Sequence, residues 1–274
     1  MAREWPKAAV VGWPAQHSLS PLIMKTWLDE TGQPGDYAII ECEPEAFEAA
    51  ARARFNAGLV GVNVTVPHKE AALKLADTAS DAARAIGAAN VLVWREGRIA
   101  ADNTDHVGIA RALESDSGTG PVVLIGAGGA ARAALYHLKG QDREIRILNR
   151  SRDRAEALAA EFGVTAHIQT LDDPSAFTGA ALVINATSLG MTGQPKLEID
   201  LSGTAKDALV FDMVYAPLKT GVLAQAERLG RRTADGLLML VGQARPAFER
   251  FFGAPAPQHE DVRHALLAAL EQRT

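Results

Sequence analysis

Thiols are all but absent from this chain: Cys42 is the single cysteine in 274 residues, so neither an internal disulfide nor a site built from several thiolates can form. The seven histidines show no HExxH or comparable ligand spacing, and no metal is expected. Long apolar runs are missing too. No stretch approaches the roughly 18 residues needed to span a bilayer. The opening MAREWPKAAVVGW has no apolar region ending in a small-residue cleavage site, so the cytoplasm is the expected location. An excess of positive charge is likewise lacking: the formal net charge is -5 and no basic stripe is present, which argues against nucleic acid as a partner. Internal repeats and low-complexity tracts are not found. What remains is a globular chain, 47% hydrophobic, with enough residues for one large domain or two ordinary ones.

Short β-branched runs alternate with Ala-rich helical patterns: KAAVVGW, SPLIMKTWLDETG, DYAIIEC, PEAFEAAARARFNAG, GVNVTVP. This alternation predicts an α/β protein with a largely parallel sheet. The polar, turn-rich SDSGTGP at 115–121 interrupts it, and a second α/β series begins at once with PVVLIG, an unbroken apolar run typical of a buried strand. DGLLMLVGQARPAFERFFG and DVRHALLAALEQ read as helices after this second series and could pack on either half.

PVVLIGAGGAARAALYHLKG places strand, tight glycine turn and helix in the order a dinucleotide fold requires, with Gly126, Gly128 and Ala131 matching GxGxxG/A. Gly126 can take the turn, Gly128 lets backbone approach a pyrophosphate, and Ala131 permits close packing of helix on strand. About 20 residues on, an NAD-binding protein usually carries an acid for the ribose 2′-hydroxyl. Here the chain reads Asn149, Arg150, Ser151, Arg152, with Arg154 beyond, and no acid at the strand end. Guanidinium groups and a hydroxyl suit a 2′-phosphate, so NADP is the expected cofactor. Downstream, ALVINATSLGM and LVFDMVYAPLKTGVL are strands with polar ends that should open on the same side as the glycine turn. Asn185, Thr187 and Ser188 either line the cleft there or are turn residues.

In the first half, the alternation Val62, Val64, Val66 predicts a strand that stops at Val66, because Pro67 cannot continue the ladder. Lys69 then stands just past the strand's carboxyl end, where open α/β sheets place ligands, although it could equally be a solvated residue opening the helix KEAALKLAD. HSLSP puts Ser18 and Ser20 on a loop before a helix begun by Pro21. The two hydroxyls could hold a carboxylate, or Ser20 could be an N-cap. Asn90 precedes a strand, and Asn103, Thr104 and Asp105 sit at the mouth of a helix, where Asp105 alone could be a capping acid.

Together HSLSP, GVNVTVPHK, GAAN, DNTD with Gly108 beyond it, GAGGAAR, NRSRDRA, NATSLGM, DMVYAP and GLLMLVGQ resemble the shikimate dehydrogenase family, from about residue 8 to about residue 253. The resemblance implies a substrate domain with a mixed, mainly parallel sheet over 1–102, completed by the terminal helices 238–274. It also implies a Rossmann-type doubly wound NADP-binding domain over 103–237. It implies reversible NADPH-dependent reduction of 3-dehydroshikimate to shikimate, on the route to chorismate and the aromatic amino acids, in a monomer or homodimer. The family's catalytic pair falls on Lys69 and Asp105. Its substrate contacts fall on Ser18 and Ser20 for the carboxylate, with Tyr215 close by, and on Thr65, Asn90, Asp105 and Gln243 for ring hydroxyls. Its cofactor contacts fall on Gly126, Gly128, Gly129, Ala130, Asn149, Arg150, Ser151, Arg154, Thr187, Met213 and Gly236. Met24 and Lys25 replace the usual His-Asn pair, and His106 stands where a small residue is usual, which bears on substrate preference more than on reaction class. Two alternatives accompany this expectation: a quinate or quinate/shikimate dehydrogenase of the same superfamily, and a non-catalytic NADP-binding regulator, which would be expected to lose Lys69 or Asp105.

Overall fold

In the computed structural model, which describes residues 5–259 and 261–272, the chain divides into two compact units. One is built from residues up to Asp105 and from Leu240 onward, the other from His106–Met239.

The first unit runs β1 (Lys7–Gly12), α1 (Ser20–Thr31), β2 (Asp36–Glu41), α2 (Phe47–Asn56), β3 (Leu59–Val64), α3 (Lys69–Leu75), β4 (Thr78–Ala79), α4 (Asp81–Ile86), β5 (Val91–Arg95) and β6 (Arg98–Asp102). Its six-stranded sheet has the order β2-β1-β3-β5-β6-β4. β1 pairs parallel with β2 and β3, while β5 is antiparallel to both β3 and β6. The antiparallel β5–β6 pair follows from a local cause. Only two residues, Glu96 and Gly97, join β5 to β6, and both have positive φ (51° and 79°), the backbone of a tight hairpin that matches strand twist. β3 ends at Val64, two residues short of the expected Val66. Thr65 N still donates to Val11 O at 2.9 Å and Trp13 N to Val66 O at 3.0 Å, but His68 N already bonds back to Thr65 O at 3.0 Å. A turn over 65–68, rather than the missing proline donor alone, stops the strand.

The second unit starts within α5 (Asp105–Ala112) and continues through β7 (Val122–Ile125), α6 (Gly129–Leu138), β8 (Ile145–Leu148), α7 (Arg152–Phe162), β9 (Ala166–Gln169), β10 (Leu182–Asn185), β11 (Leu209–Asp212), α8 (Gly221–Arg228) and β12 (Arg232–Ala234). All six strands are parallel, in the order β12-β11-β10-β7-β8-β9. β7 and β10 are fully buried along their length, which is why they read as unbroken apolar runs. From β7 the chain winds outward to β8 and β9, then returns to lay β10 on the other flank of β7. The strand order therefore reverses between β7 and β10, and the crevice beyond their carboxyl ends is the topological switch point at which this architecture binds ligands.

α9 (Gly236–Phe252) carries the chain back, and from Leu240 on it belongs to the first unit with α10 (Asp261–Glu271). The helix is fastened there by aromatic packing. Phe248 meets the fully buried Trp27 edge-on at 5.7 Å, Arg245 lies over the same indole at 5.5 Å, and Phe251 approaches Tyr37 at 6.5 Å. Phe251 also fills the space over Gly61: a Cβ there would sit 2.3 Å from two of its ring carbons and 3.1 Å from Leu92 O. Backbone and ring leave no room to give. Gly61→Ala is therefore expected to lower stability by about 1–3 kcal/mol through overpacking, read as a reduced denaturant midpoint with unchanged m-value. A midpoint at or above wild type would show that α9 adjusts freely over β3.

Candidate active site

α3 begins at Lys69, an unfavourable place for a cation because the unsatisfied amides of a helix start carry partial positive charge. The Lys69 side chain is compensated from elsewhere: its Nζ donates to Asp105 Oδ2 at 2.5 Å, and the two side chains are only 14% and 4% exposed. Asp105 is the first residue of α5, yet its carboxylate does not cap that helix. Asn103 Oδ1 accepts the Asp105 N–H at 3.0 Å, leaving both Asp105 oxygens for other partners. One takes Lys69 and the other accepts Asn90 Nδ2 at 2.9 Å. The Asn90 amide also reaches Thr104 Oγ1 at 3.0 Å and Gln243 Oε1 at 3.3 Å, while its Oδ1 accepts Thr104 N at 2.7 Å. Thr104 Oγ1 in turn donates to Gln243 O at 2.9 Å, tying α9 to the strand end. Lys69, Asp105, Asn90 and Gln243 thus form one bonded cluster.

Buried partners hold this cluster from behind. Asn90 O accepts from Val64 N at 2.8 Å and from Asn63 Nδ2 at 3.4 Å, and Asn63 Oδ1 accepts the Tyr37 hydroxyl at 2.7 Å. Burial pushes the Tyr37 phenol well above its ordinary range, which keeps it a donor. His68, beside Lys69, is 2% exposed. Its Nε2 lies 2.8 Å from Cys42 O, and its ring stacks on Phe47 at 4.6 Å. Burial lowers its pKa more than the contact with the Cys42 carbonyl raises it, so the ring is neutral, and because a carbonyl only accepts, Nε2 carries the hydrogen. Cys42 itself is a buried thiol, raised by desolvation.

At the same end of the sheet, Thr65 follows β3 and the loop carrying Ser18 and Ser20 follows β1. These two connections touch, since a Cβ on Gly12 would come within 2.4 Å of Thr65 Cγ2. Ser20 is buried in the first turn of α1, and it is not the N-cap. Leu19 precedes the helix without a capping side chain, and Ser18 Oγ accepts the Ser20 N–H at 3.2 Å. Capping thus falls to Ser18, and the Ser20 hydroxyl is not engaged in it. Met24 is a core residue and Lys25 pairs with Asp36 at the surface, 3.6 Å away.

In the second unit, Gly126 ends β7 with φ of 112°, and a Cβ there would meet Thr187 Cγ2 at 2.9 Å and Ala186 O at 3.2 Å, so only glycine fits. Gly128 differs: it is extended, immediately precedes α6, and nothing lies within 4 Å of where its Cβ would be. The first amides of α6, beginning at Gly129 and Ala130, therefore border open space suited to an anion, and Ala131 is fully buried beneath them. After β8, Asn149 Nδ2 donates to Ser151 O at 2.8 Å, shaping the entry to α7. Arg150 and Arg154 are exposed and make no ion pair among the described residues, whereas Arg152 is paired with Glu156 at 2.7 Å. Two free cations with no acid at the strand end fit a 2′-phosphate. His106 packs edge-on against Tyr136 at 5.3 Å.

Thr187 serves the turn after β10: its hydroxyl donates to Asn185 Oδ1 at 2.7 Å and accepts from Leu189 N at 3.1 Å. Met213 and half-buried Tyr215 follow β11, and Gly236 opens α9 so tightly against the Met213–Val214 backbone that a Cβ would lie 2.4 Å from Met213 O. Asn103, Thr104 and His68 are organising residues to which the motifs alone assigned no role. Asp212, fully buried at the end of β11, is another. A carboxylate in an otherwise apolar strand, LVFD, was the available signal for it.

Taken together, the fold and the two constellations define a two-unit α/β protein with a dinucleotide-type switch point and a separately housed Lys–Asp pair. Comparison with known proteins narrows the class. Residues 10–92 match the model of the shikimate dehydrogenase substrate binding domain, and residues 109–212 that of shikimate / quinate 5-dehydrogenase. Over 273 residues the chain is 45% identical to the shikimate dehydrogenase (NADP(+)) of Paracoccus denitrificans, covering 96% of each. It is 47% identical over 270 residues to that of Rhodospirillum rubrum, covering 94% of this chain and 95% of the relative. Among solved structures, it is similar to shikimate 5-dehydrogenase from Thermus thermophilus in complex with NADP(H) and shikimate (TM-score 0.83, 34% identity, 95% and 99% of the two chains). It is also similar to quinate dehydrogenase from Corynebacterium glutamicum in complex with NAD (TM-score 0.86, 28% identity, 96% and 99%). The chain belongs to the shikimate dehydrogenase family.

Because Ser18 rather than Ser20 satisfies the helix start, the two serines should separate in a stability measurement. Ser18→Ala is expected to cost about 1 kcal/mol, the usual value of a lost cap, while Ser20→Ala leaves the thermal midpoint within a degree or so of wild type. Equal losses from both would mean that the Ser20 hydroxyl carries structural bonds of its own.

Proposed function

We propose that this chain is an NADP-dependent shikimate dehydrogenase that interconverts 3-dehydroshikimate and shikimate in the cytoplasm, on the way to chorismate and the aromatic amino acids. The observation that carries the reading is the Lys69–Asp105 pair at 2.5 Å, nearly removed from solvent at a sheet's carboxyl end. Buried ion pairs add little net stability compared with apolar packing, so a nearly buried pair at a sheet's carboxyl end favours chemistry over architecture. The names of the near-full-length relatives, each a shikimate dehydrogenase (NADP(+)), supply the substrate.

In this reading NADPH, when held at the glycine loop, would supply the hydride equivalent for the carbonyl carbon, and the chain's own residues would bind, orient and protonate. Lys69 donates its proton to the ketone oxygen as negative charge grows there, becoming neutral, and recovers a proton from solvent afterwards. In the oxidative direction the neutral amine accepts it. Asp105 orients the ammonium and accepts a hydrogen bond from a neighbouring ring hydroxyl, while Asn90 and Gln243 present amides to the ring. Ser18, Ser20 and Thr65 complete the substrate contacts of the first unit; Tyr215, which the family pattern also gives to the substrate, belongs to the second. Arg150 and Arg154, with Ser151 and Asn149, would hold the 2′-phosphate. Gly126, Gly128, Gly129 and Ala130 would approach the pyrophosphate, and Thr187, Met213 and Gly236 would border the nicotinamide half. Quinate with NAD is the other oxidoreduction to consider, and the missing acid after β8 speaks against it. The regulator reading is disfavoured by the retained Lys69 and Asp105.

Purified protein mixed with shikimate and NADP should develop the reduced-nicotinamide absorbance band, whereas quinate with NAD should give a far slower rise. The reverse order would overturn the assignment. Lys69→Ala should lower kcat by roughly 10²- to 10⁴-fold with little change in cofactor affinity. Asp105→Asn should act similarly, and the double variant should lose less than the product of the singles. A near-wild-type kcat in Lys69→Ala would remove Lys69 from the chemistry. For the cofactor, Arg150→Ala should reduce kcat/KM for NADP by roughly 10- to 150-fold, the range for one charge-assisted bond, and leave that for NAD almost unchanged. Equal losses with both would mean that Arg150 supports the fold instead.

A further inference from the structure

At the carboxyl end of the second unit's sheet, Asn185 and Asp212 are register neighbours, the last residues of β10 and β11. Asp212 is fully buried and collects three donors: Asn185 Nδ2 at 2.9 Å and Val214 N at 3.0 Å on one oxygen, and Thr220 Oγ1 at 2.6 Å on the other. No cation pairs with it among the described residues. Three convergent donors call for an acceptor-only group, and a carboxylate is the compact side chain that meets the demand. An amide in its place would keep one acceptor oxygen and turn an N–H toward Thr220 Oγ1, costing the Thr220 hydroxyl its acceptor.

The consequences spread outward from these bonds. Asn185, fixed by Asp212, spends its own oxygen on Thr187 N at 3.1 Å and Thr187 Oγ1 at 2.7 Å, and its nitrogen also reaches Leu189 O at 3.1 Å. Thr187 is thereby pressed against Gly126, the turn of the glycine loop. On the other side, Met213 N donates to Asn185 O at 3.1 Å, the Val214 amide is held by Asp212 itself, and Gly236 packs on the Met213 carbonyl. The carboxylate itself bonds Asn185, Val214 and Thr220; through Asn185 it fixes the Thr187 turn that lies on Gly126, and through the Val214 amide the Met213–Val214 segment on which Gly236 packs. Burial pushes the Asp212 carboxyl above its usual range, so the site retains a group that is costly to keep there.

We propose that Asp212 is a positioning residue for the cofactor, setting the loop after β10 and the Met213–Val214 segment in the form that accepts the nicotinamide half of NADP. This inference rests on the placement of NADP at the glycine loop given above. It assigns to Asp212 no contact with substrate or reacting atoms.

The test uses the full chain and steady-state kinetics with each substrate varied in turn. Asp212→Asn should raise KM for NADP about 10- to 100-fold, the loss expected when buried hydrogen bonds to a charged acceptor are broken, while KM for shikimate at saturating NADP stays within about 2-fold. Thr220→Val, which deletes one donor to Asp212 and also the Leu223 N cap of α8, should shift KM for NADP in the same direction by less, with KM for shikimate unchanged, and Thr220→Ser, which keeps both bonds, should restore it. Should Asp212→Asn fail to fold, the Thr220 pair carries the test. Gly128→Ala separates this inference from the one beneath it, because the new methyl meets no protein atom and can obstruct only a ligand. If Gly128→Ala leaves KM for NADP unchanged, NADP does not sit at the glycine loop and the inference falls with that placement. If Gly128→Ala raises it while the Asp212 and Thr220 variants do not, or if they raise both KM values equally, Asp212 is only a structural residue.

Discussion

The Lys69–Asp105 ion pair is the constraint around which the first unit is arranged. A lysine at a helix start and an aspartate mostly withdrawn from water are each unfavourable alone, and each is tolerable only while the other is in place. The partners come from the ends of two segments 36 residues apart, and a 2.5 Å contact between them leaves little freedom for β3, β6 or the turns that follow. Asn90 supplies the rest of the rigidity. Its single amide group reaches Asp105, Thr104 and Gln243, so a displacement at any one of them is felt at the carboxylate.

The same local device recurs at four of the strand ends and loops that carry the two constellations. A short polar residue at the strand end or loop accepts the N–H two positions on: Ser18 for Ser20, Asn103 for Asp105, Asn185 for Thr187, Asp212 for Val214. Each such turn satisfies an amide that the following residue would otherwise have to service. Asp105 shows the benefit directly, since both its oxygens face side chains although it stands at the first position of a helix.

Much of this architecture was legible in the sequence because its causes are local. Period-two alternation and unbroken apolar runs located strands such as β1, β3, β7, β10 and β11, though not the short β4, β9 and β12, and strand, glycines and helix in one 20-residue stretch located the switch point. The end of β3 was misplaced by two residues because the pattern Val62, Val64, Val66 continues through a turn that begins at Thr65. Ser20 was the only cap candidate read from HSLSP, and the geometry instead gives the helix-start bond to Ser18, a choice between two like hydroxyls that sequence alone does not make. Least legible were the bonds between distant segments. Gln243 and Asn90 lie 153 positions apart, and only the family resemblance paired them beforehand. For Asp212 the carboxylate in an apolar strand, LVFD, marked the residue as unusual, but two of its three donors, Asn185 and Thr220, come from segments that the sequence does not bring to it.

The first unit is discontinuous, and this has a bearing on how the protein comes into being. A ribosome makes the chain from residue 1 forward at roughly 5–20 residues per second, so β1 to β6 emerge well before Phe248, Phe251 and Gln243, by an interval on the order of ten seconds. Throughout that interval the space over Gly61 lacks its aromatic ring, Trp27 lacks its edge-on neighbour, and the Asn90 amide lacks one acceptor. The six parallel strands of the second unit, by contrast, have all been synthesised by Ala234. The half of the molecule translated first is thus the last to possess all its own parts, and its unfinished apolar face is what the nascent chain exposes to the crowded cell while the younger half can already close its sheet.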